Sequence, residues 1–302
     1  MAQFKKAMLI YNGNAGQKNM EKTLGQTVPL LSLHIDELIL KPTRQPKDAY
    51  HFCRLIDETV ELLIILGGDG TVHECMNGIG GLEKRPAVAI LPGGTCNDFS
   101  RTLGIPQQIQ KAAQMIVEGA EKKVDLIKAE DRYFLNFWGI GLIADTSNNI
   151  NDKEKAILGK ISYFTSAIRT LQQTNPFHVR IETEEENWEE EAVIVLVMNG
   201  QFIGTNKIDL PNAAIDDGKA EILICRNTSF SALKELFSMN REELEDFTGD
   251  LSLIQASRIH IHTKDEMDAD TDGEVYMKAP SSLEVLKQHL TFIVPAEYRK
   301  RP

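Results

Sequence analysis

The stretch LLIILGGDGTVHECMNGI, residues 62–79, runs from a purely apolar segment through a glycine-rich turn into a segment with helical spacing. An apolar run without alternation is typical of a strand that is buried on both faces of a parallel sheet. Gly67, Gly68 and Gly70 permit positive φ angles and close approach of other groups to the backbone. Because backbone N–H groups and the positive end of a helix meet at such a turn, its geometry suits a bound phosphate.

Asp69 places a carboxylate inside this turn, where it cannot face a phosphate directly because both groups are negatively charged. A cation between them removes the conflict, and Mg²⁺ typically takes few protein carboxylates together with phosphate oxygens and water. A nucleoside triphosphate with Mg²⁺ is therefore one interpretation. The other is a structural turn in which glycine supplies the geometry and Asp69 caps the helix. This stretch alone leaves both interpretations open.

A second stretch, AILPGGTCNDFSRTLGIP at 89–106, repeats the same design. A strand ends in a Pro-Gly-Gly turn, Thr95 adds a hydroxyl, and Asn97 and Asp98 open a helix. A third small-residue loop follows the first strand in LIYNGNAGQK at 9–18. Since the carboxyl ends of parallel strands meet at one edge of a sheet, three such loops favour a triphosphate site over three structural turns.

The chain changes character near residue 124. Before it, the strand-like runs Ala7–Tyr11, Leu62–Leu66 and Ala87–Leu91 alternate with helical patterns, which predicts a Rossmann-like parallel α/β domain. After it, the β-rich segments HVRIET, AVIVLVMN, AEILICR and RIHIHT predict an antiparallel β-sandwich. We predict domains at 1–123 and 124–290, and leave open whether 291–302 returns to the first.

Three further segments have local interpretations. Lys153 to Gln173 has helical spacing and could lie against the sandwich. ETEEENWEEE at 182–191 is a charge run that predicts a solvated hairpin connection. YFLNFW at 133–138 resembles a strand, and the GIGLIA that follows from residue 139 predicts close packing of a glycine-rich connection.

Composition excludes some classes of protein. A formal net charge of −11 argues against general affinity for nucleic acid or anionic bilayers. The four cysteines have no metal or disulfide spacing and follow no secretory signal, so we predict reduced thiols in a cytoplasm. No apolar run reaches the roughly 18 residues that cross a bilayer, so any membrane contact is expected to be peripheral.

The motifs GGDGTVHECMNGI and PGGTCNDFSRTLGIP resemble the diacylglycerol kinase catalytic-domain family, in particular its soluble bacterial lipid kinases. The resemblance covers essentially the whole chain, because DDGKAEILI at 216–224 and DTDGE at 270–274 look like later motifs of that family in the same order. Gly-Gly-Asp-Gly-Thr alone is shared with NAD kinases and in part with phosphofructokinases, whereas Gly-Thr-x-Asn-Asp-Phe separates this chain from both. The resemblance implies an α/β nucleotide-binding domain of NAD kinase/phosphofructokinase type, a C-terminal β-sandwich, and an active site between them.

The same resemblance implies roles for individual residues, with ATP and Mg²⁺ as cofactors. ATP would be surrounded by Asn12, Thr43, Gly67, Gly68, Asp69, Gly70, Thr71, Val72, His73, Gly94, Thr95 and Asn97, with Glu74 and Asn77 supporting the loop. The catalytic Mg²⁺ would be held, largely through water, by Asp69, Asp98 and Asp125. A structural Mg²⁺ is expected on the Asp217 carboxylate and the backbone carbonyls of Ala214 and Lys219. Asp272 and Glu274 would form the base region that faces the lipid hydroxyl.

Two positions depart from the family pattern. Gly13 stands where the family usually has proline, and Lys47 stands where it usually has glycine. Both departures concern contacts on the adenine side of the expected site and leave the phosphate loop unaffected.

Some patterns imitate other sites. DADTDGE at 268–274 has the spacing of half an EF-hand loop, but the twelfth position is Ala279 and helical flanks are lacking. His260 and His262 share a strand face without an evident third ligand, which favours a solvated face over a metal site. The apolar spacing of Ile109, Ala112, Ala113 and Ile116 predicts core packing.

These observations predict an ATP- and Mg²⁺-dependent kinase that phosphorylates a membrane lipid hydroxyl, with diacylglycerol as the leading acceptor. An NAD kinase-like enzyme and a catalytically silent lipid- or nucleotide-binding regulator remain as alternatives. We expect a cytoplasmic protein at the inner membrane face, without a nucleic-acid partner. Docking would use basic residues of the helical segment (Lys153, Lys155, Lys160, Arg169) or the C-terminal cluster (Arg299, Lys300, Arg301). The oligomeric state is not determined by the sequence, with a homodimer left open.

Overall fold

The structure is a computed structural model that describes residues 4–13, 17–141, 176–208, 210–211, 213–227 and 250–298, without the side chains of 17–19 and 274–276. It forms two compact units, Met1–Val124 with Gln288–Pro302 and Asp125–Lys287. The predicted helix Lys153–Gln173 and the proposed basic docking residues lie outside the described residues. Within the described ranges, no helix is long and apolar enough to span a membrane.

The first unit is a parallel sheet with helices. Its elements are β1 (Phe4–Asn12), α1 (Gln17–Ser32), β2 (Ile35–Thr43), α2 (Asp48–Arg54), β3 (Leu62–Gly67), α3 (Asp69–Ile79), β4 (Ala87–Pro92), α4 (Asp98–Thr102) and α5 (Ile109–Glu118). The strand order is β2-β1-β3-β4, and all three pairs are parallel. The end of β18 (Ser281–Val294) adds to β4 in parallel, with Phe292 opposite Val88.

The strands that the sequence predicts in this unit are present, and their apolar runs are buried. Every residue of β3 is buried, as a strand covered on both faces requires. On α5, Ala112, Ala113 and Ile116 are buried as the helical spacing predicted. Ile109 is only half-buried, and the interpretation of this residue as core is therefore wrong. It stands on the first turn of α5, where the side chain reaches a cleft.

The second unit contains two larger antiparallel sheets and a two-stranded one, formed by Phe202–Ile203 and Asn206–Lys207. Its strands are β6 (Arg132–Phe134), β7 (Phe137–Ile140), β8 (Phe177–Thr183), β9 (Asn187–Ala192), β10 (Ile194–Met198), β11 (Phe202–Ile203), β12 (Asn206–Lys207), β13 (Ala220–Cys225), β14 (Leu251–Ala256), β15 (Arg258–Thr263), β16 (Met267–Thr271), β17 (Glu274–Ala279) and the start of β18, with β5 (Ala120–Ala129) leading into it. One sheet has the order β18-β15-β8-β9, and the other has the order β14-β13-β10-β7-β16-β17. The predicted fold class, a parallel α/β domain followed by an antiparallel sandwich, is confirmed.

Alternation along the strands builds the core between the two sheets of this unit. On β15, Ile259 and Ile261 are buried whereas His260 and His262 are exposed, so the solvated histidine face is confirmed. The buried isoleucines share one apolar cluster with Trp138 of β7. The charge run at 182–191 forms the β8–β9 hairpin, in which Glu184, Glu185 and Glu186 lie in the connection and Glu189, Glu190 and Glu191 lie on the exposed strand β9.

The segment YFLNFW resembles one strand in the sequence, but in the structure it belongs to two strands with a break between them. β6 ends at Phe134 and β7 begins at Phe137, and the N–H groups of Leu135 and Asn136 donate to the side chain of Asp272 instead of to a strand. Directly after β7, Gly141 has φ +81°, and a Cβ there would lie 2.0 Å from the carbonyl oxygen of Val193. This close approach agrees with the predicted packing of a glycine-rich connection.

Candidate active site

Two glycine turns at the ends of β3 and β4 touch each other through their backbones. A Cβ built on Gly94 would lie 2.4 Å from the Cα of Gly68, and a Cβ on Gly68 would lie 2.9 Å from the Cα of Gly94. The Gly93 N–H also donates to the Gly67 carbonyl oxygen at 2.9 Å. Since any side chain at Gly68 or Gly94 would push backbone against backbone, the two turns form one bare main-chain surface.

Asp69 ties the first turn to the helix that follows the second. Its Oδ2 accepts the Asn97 N–H at 2.9 Å and its Oδ1 accepts the Asp98 N–H at 2.8 Å. These N–H groups lie at the start of α4, where the helix itself offers them no acceptor, so Asp69 caps α4 from another segment of the chain. The carboxylate thereby brings Asp69, Asn97 and Asp98 together, as the predicted site requires.

Asn97 locks the second turn. Its Oδ1 accepts the Gly94 N–H at 2.9 Å, and its Nδ2 donates to the Gly94 carbonyl at 3.0 Å. The residue has φ 53°, a left-handed conformation that asparagine tolerates better than most residues. Nδ2 also reaches Oε1 of Gln107 at 3.3 Å, a contact that no sequence pattern indicated.

A cleft of about 480 Å³ opens beside these turns. Its lining includes the predicted residues Asn12, Gly67, Gly68, Thr71 and Gly94. Its lining also includes Leu66, Pro92 and Gly93 of the two predicted motifs, and, outside those motifs, Met20 and Thr23 of α1 and Ile109 of α5, which sequence reasoning missed. Helical spacing alone could not identify them, because a half-buried residue at the edge of an apolar face resembles a core residue.

The segment after β2 is fixed by a predicted supporting residue. Glu74 Oε1 accepts the Lys47 N–H at 2.9 Å, so α3 holds the start of α2. Lys47 has φ 72°, which explains why glycine suits this position and why lysine there is strained. Beside it, the Gly13 N–H donates to the Thr43 carbonyl at 2.9 Å, a bond that proline could not make.

His73 and Asn77 form a second support on α3. His73 is buried, and Nδ2 of Asn77 donates to its carbonyl oxygen at 3.0 Å and lies 3.2 Å from its Nε2. The side chains of both residues are therefore held against their own helix.

In the second unit, Asp272 occupies a tight turn between β16 and β17. Asp272 and Gly273 have φ 55° and 87°, the left-handed pair of a type I′ hairpin turn. Oδ1 accepts the N–H groups of Asn136 at 2.8 Å and Phe137 at 3.0 Å, and Oδ2 accepts that of Leu135 at 3.0 Å. Asp272 thus anchors the segment between β6 and β7. Glu274 begins β17, and its side chain is outside the described part of the chain.

Asp125 lies with the loop that contains the expected structural metal ligands. Its N–H donates to the carbonyl oxygen of Ile215 at 2.7 Å, and its Oδ2 accepts the Gly218 N–H at 2.6 Å. Asp217 is exposed, and its Oδ1 accepts the Lys219 N–H at 2.9 Å. Carboxylate and carbonyl oxygens of this loop, with few charges and access to water, fit the preferences of Mg²⁺. Among the described residues, no group of three or more His, Cys, Asp or Glu side chains could hold a metal ion.

Glu221 is an acid of this region that sequence reasoning missed. It is 1% exposed at the start of β13, and Nε2 of Gln255 donates to its Oε1 at 3.0 Å. The pKa of Glu221 is raised to about 7, mainly by burial and also by the neighbouring charges of Asp217 and Asp125, against the opposing hydrogen bond from Gln255.

The comparisons with known proteins agree with this geometry. Residues 6–129 match the sequence profile described as "Diacylglycerol kinase catalytic domain", and residues 139–294 match "YegS C-terminal NAD kinase beta sandwich-like domain". A "Putative lipid kinase" of Staphylococcus carnosus (strain TM300) is 30% identical over 296 residues, which is 96% of this chain and 97% of the relative. "Putative lipid kinase SAS0691" of Staphylococcus aureus (strain MSSA476) is 33% identical over 92% of this chain and 93% of its own.

Solved structures show the same relationship. A crystal structure described as "a putative diacylglycerol kinase from Bacillus anthracis str. Sterne" has a TM-score of 0.89 and 42% identity, and the match covers 99% of this chain and 98% of that one. The fold, a parallel α/β domain followed by a β-sandwich, is shared with these putative kinases. The chain belongs to the diacylglycerol kinase catalytic domain family.

Proposed function

We propose that the protein transfers the γ-phosphoryl group of ATP to the hydroxyl of a membrane lipid, with diacylglycerol as the leading acceptor and phosphatidic acid as the product. The observation that carries this proposal is the bare main-chain surface formed by Gly68 and Gly94 and fixed by Asp69. Backbone N–H groups without side chains beside them, next to an open cleft, suit the phosphates of a nucleotide.

The nucleotide would occupy the cleft beside β3 and β4, with the turn residues Gly67 to Thr71 on its phosphates and Asn12 and Thr43 on its other side. Mg²⁺, when bound, would neutralise phosphate oxygens during transfer. Asp69 and Asp98 would hold its water ligands, and the family resemblance gives Asp125 the same role. Asp217 with the carbonyls of Ala214 and Lys219 would hold a structural Mg²⁺.

The reaction also needs a group that accepts the proton of the attacking hydroxyl. We assign this function to the region of Asp272 and Glu274. The three backbone N–H groups on the Asp272 carboxylate fix its position, which suits a group that must meet the hydroxyl in one orientation.

We further propose that the protein works at the inner face of the membrane as a peripheral, cytoplasmic enzyme. A lipid acceptor requires such contact, and a homodimer remains compatible with it.

The test is transfer of labelled γ-phosphate from ATP with Mg²⁺ to a panel of lipids in mixed micelles, with NAD and an acceptor-free reaction alongside. Asp272→Asn keeps the shape of the side chain and removes its charge, so we expect at least about a 100-fold loss of transfer. Glu184→Gln is the matched control, because Glu184 also accepts two backbone N–H groups, from Ser257 at 2.8 Å and Arg258 at 3.1 Å. It should leave transfer unchanged.

Each outcome decides between the alternatives. Labelling of one lipid class that is lost in Asp272→Asn supports the proposal and identifies the acceptor. Labelling of NAD without lipid would establish the NAD kinase-like alternative. ATP binding without any labelled acceptor would instead support a silent regulator.

A further inference from the structure

Asn199 is a buried asparagine that contacts two separate segments of the second unit. It follows β10 and is 1% exposed. Its Nδ2 donates to the carbonyl oxygen of Asp125 at 3.2 Å and to that of Leu135 at 2.9 Å. Both N–H donors of the amide are therefore used, one on each segment.

Each of these segments carries one of the acids assigned above. The Asp125 carboxylate accepts the Gly218 N–H at 2.6 Å and so holds the loop of the expected structural metal. Leu135 begins the run of three N–H groups that bind the carboxylate of Asp272. One amide group thus bridges the main chain beside Asp125 and the main chain that anchors Asp272.

The backbone of Asn199 strengthens this bridge. The N–H groups of Asn199 and Gly200 both donate to the carbonyl oxygen of Asn136 at 2.9 Å. Asn136 is itself one of the residues that bind Asp272. Side chain and main chain of Asn199 therefore act on the same segment between β6 and β7.

The unused oxygen of the amide indicates why an asparagine stands here. Within the described part of the chain, Oδ1 of Asn199 is buried without a hydrogen-bond partner. Reversing the amide would set this oxygen against two carbonyl oxygens, so the orientation is fixed. A buried unsatisfied acceptor is unfavourable, and an apolar side chain of the same shape would avoid it. The two donors are what the residue contributes.

We infer that Asn199 is a positioning residue of the phosphoryl-transfer site, which sets Asp272 and the Asp125 segment at a fixed separation. This inference rests on the proposed function. Loss of the bridge should lower kcat, because small displacements of reacting groups are costly. It should not change KM for ATP, since the nucleotide turns belong to the first unit.

Asn199→Leu removes both donors and keeps the number and branching of the side-chain heavy atoms. Gln255→Leu is the matched control, because Gln255 is likewise an amide of the second unit that donates to a buried oxygen, Oε1 of Glu221 at 3.0 Å, outside the segments of Asp125 and Asp272. Both variants lose such an amide hydrogen bond and should lose stability. Only the first loses the bridge.

Two measurements are made on each folded variant. Amide hydrogen exchange follows the N–H groups that the acids hold, which are those of Leu135, Asn136, Phe137 and Gly218. Steady-state kinetics gives kcat and KM for ATP. For Asn199→Leu we expect faster exchange at Gly218 together with 135–137, and kcat about 10- to 100-fold lower with KM for ATP unchanged. For Gln255→Leu we expect unchanged protection at Gly218 and at 135–137, and kcat close to wild type.

Unchanged exchange at these amides in Asn199→Leu, or faster exchange with an unchanged kcat, would overturn the inference. An equal fall of kcat in both variants would also overturn it, because loss of any buried amide would then suffice. If Asn199→Leu does not fold, Asn199→Ser keeps one donor and should show the same changes at smaller size. A wild-type protein without transfer to any acceptor would refute the proposed function, while the exchange data would still decide whether Asn199 joins the two segments.

Discussion

At the scale of single residues, several of the predicted site residues bind the main chain of another segment. Asp69 caps α4, Asp272 anchors the segment before β7, and Glu74 holds the turn before α2. A carboxylate that accepts N–H groups is held in one place by them. Asp69 and Asp272 are therefore positioned before any nucleotide or metal binds.

Lys47 provides a test of local strain. Its φ of 72° places a non-glycine residue in the left-handed region, which costs roughly 1 kcal/mol or more. We expect Lys47→Gly to stabilise the protein by about 0.5–1 kcal/mol after the larger entropy of the unfolded glycine chain is subtracted. Urea unfolding measures the difference. Lys111→Gly, at an exposed position within α5, should instead destabilise by about 1 kcal/mol, and a stabilisation there would contradict the argument.

Glu221 should make stability depend on pH. Its pKa is raised to about 7 in the folded protein from 4.5, mainly by burial, so the folded state holds a proton that the unfolded state releases. Its contribution is fully present below pH 4.5 and is lost as pH rises through 7, by up to about 3 kcal/mol. Urea unfolding between pH 5 and 8 should therefore show a fall in stability that Glu221→Gln reduces. An identical slope in this variant would refute the assignment.

At the scale of elements, turns decide where side chains of the sandwich point. The β16–β17 hairpin has its two left-handed residues at Asp272 and Gly273, and this turn places the Asp272 carboxylate beside β7. In the first unit, the turns after β3 and β4 likewise position the side chains of Asp69 and Asn97. Asp69, Asn97 and Asp272 all follow the ends of strands, whereas the strands supply the buried core.

Gly273 tests the hairpin. With φ 87°, Gly273→Ala should destabilise by about 1–2 kcal/mol and should also lower transfer, since the turn holds Asp272. Gly25→Ala is the opposite case, because Gly25 lies inside α1 and a Cβ added there would meet nothing within 4 Å. It should stabilise by about 0.5–1 kcal/mol. Thermal unfolding of both variants measures the contrast, and a change of the same sign in both would contradict it.

At the scale of the whole molecule, the two units differ in what they contribute. The first carries the bare glycine turns and the cleft, and the second carries the Asp272 and Asp125 segments. The net charge of −11 opposes adsorption to an anionic bilayer, so membrane contact requires a local basic patch.

Vesicle binding tests this requirement. We expect the full chain to bind vesicles that contain anionic lipid, and binding to weaken as salt is added, because exposed charges are screened. If the C-terminal cluster contributes, replacing Arg299, Lys300 and Arg301 with serine should weaken vesicle binding at a given salt concentration. Any binding that this variant retains would be assigned to the segment that contains Lys153 and Lys160. Binding that is independent of both anionic lipid and salt would refute electrostatic docking.

The sequence by itself determined the fold class and the paired glycine turns, because both depend on local chemistry. Apolar runs and alternation decide between a buried parallel strand and a half-buried antiparallel one, and glycine is the residue that close backbone contact requires. Gly68 and Gly94 could therefore be identified without coordinates. The roles of Asp69 as a cap on α4 and of Asp272 as an anchor could not, because their partners are 28 and 135 or more positions away.

Only the tertiary structure decided which buried polar groups meet. Asn199 directly follows β10, and Glu221 is the second residue of β13. Both lie in sequences typical of ordinary strand ends, and nothing local marks them. Their importance arises where the fold brings other segments against them: Asp125 of β5 and Leu135 between β6 and β7 meet Asn199, and Gln255 of the neighbouring strand β14 meets Glu221. A hydrogen bond between distant segments depends on the register of strands, and register is a property of the folded sheets rather than of any short stretch of chain.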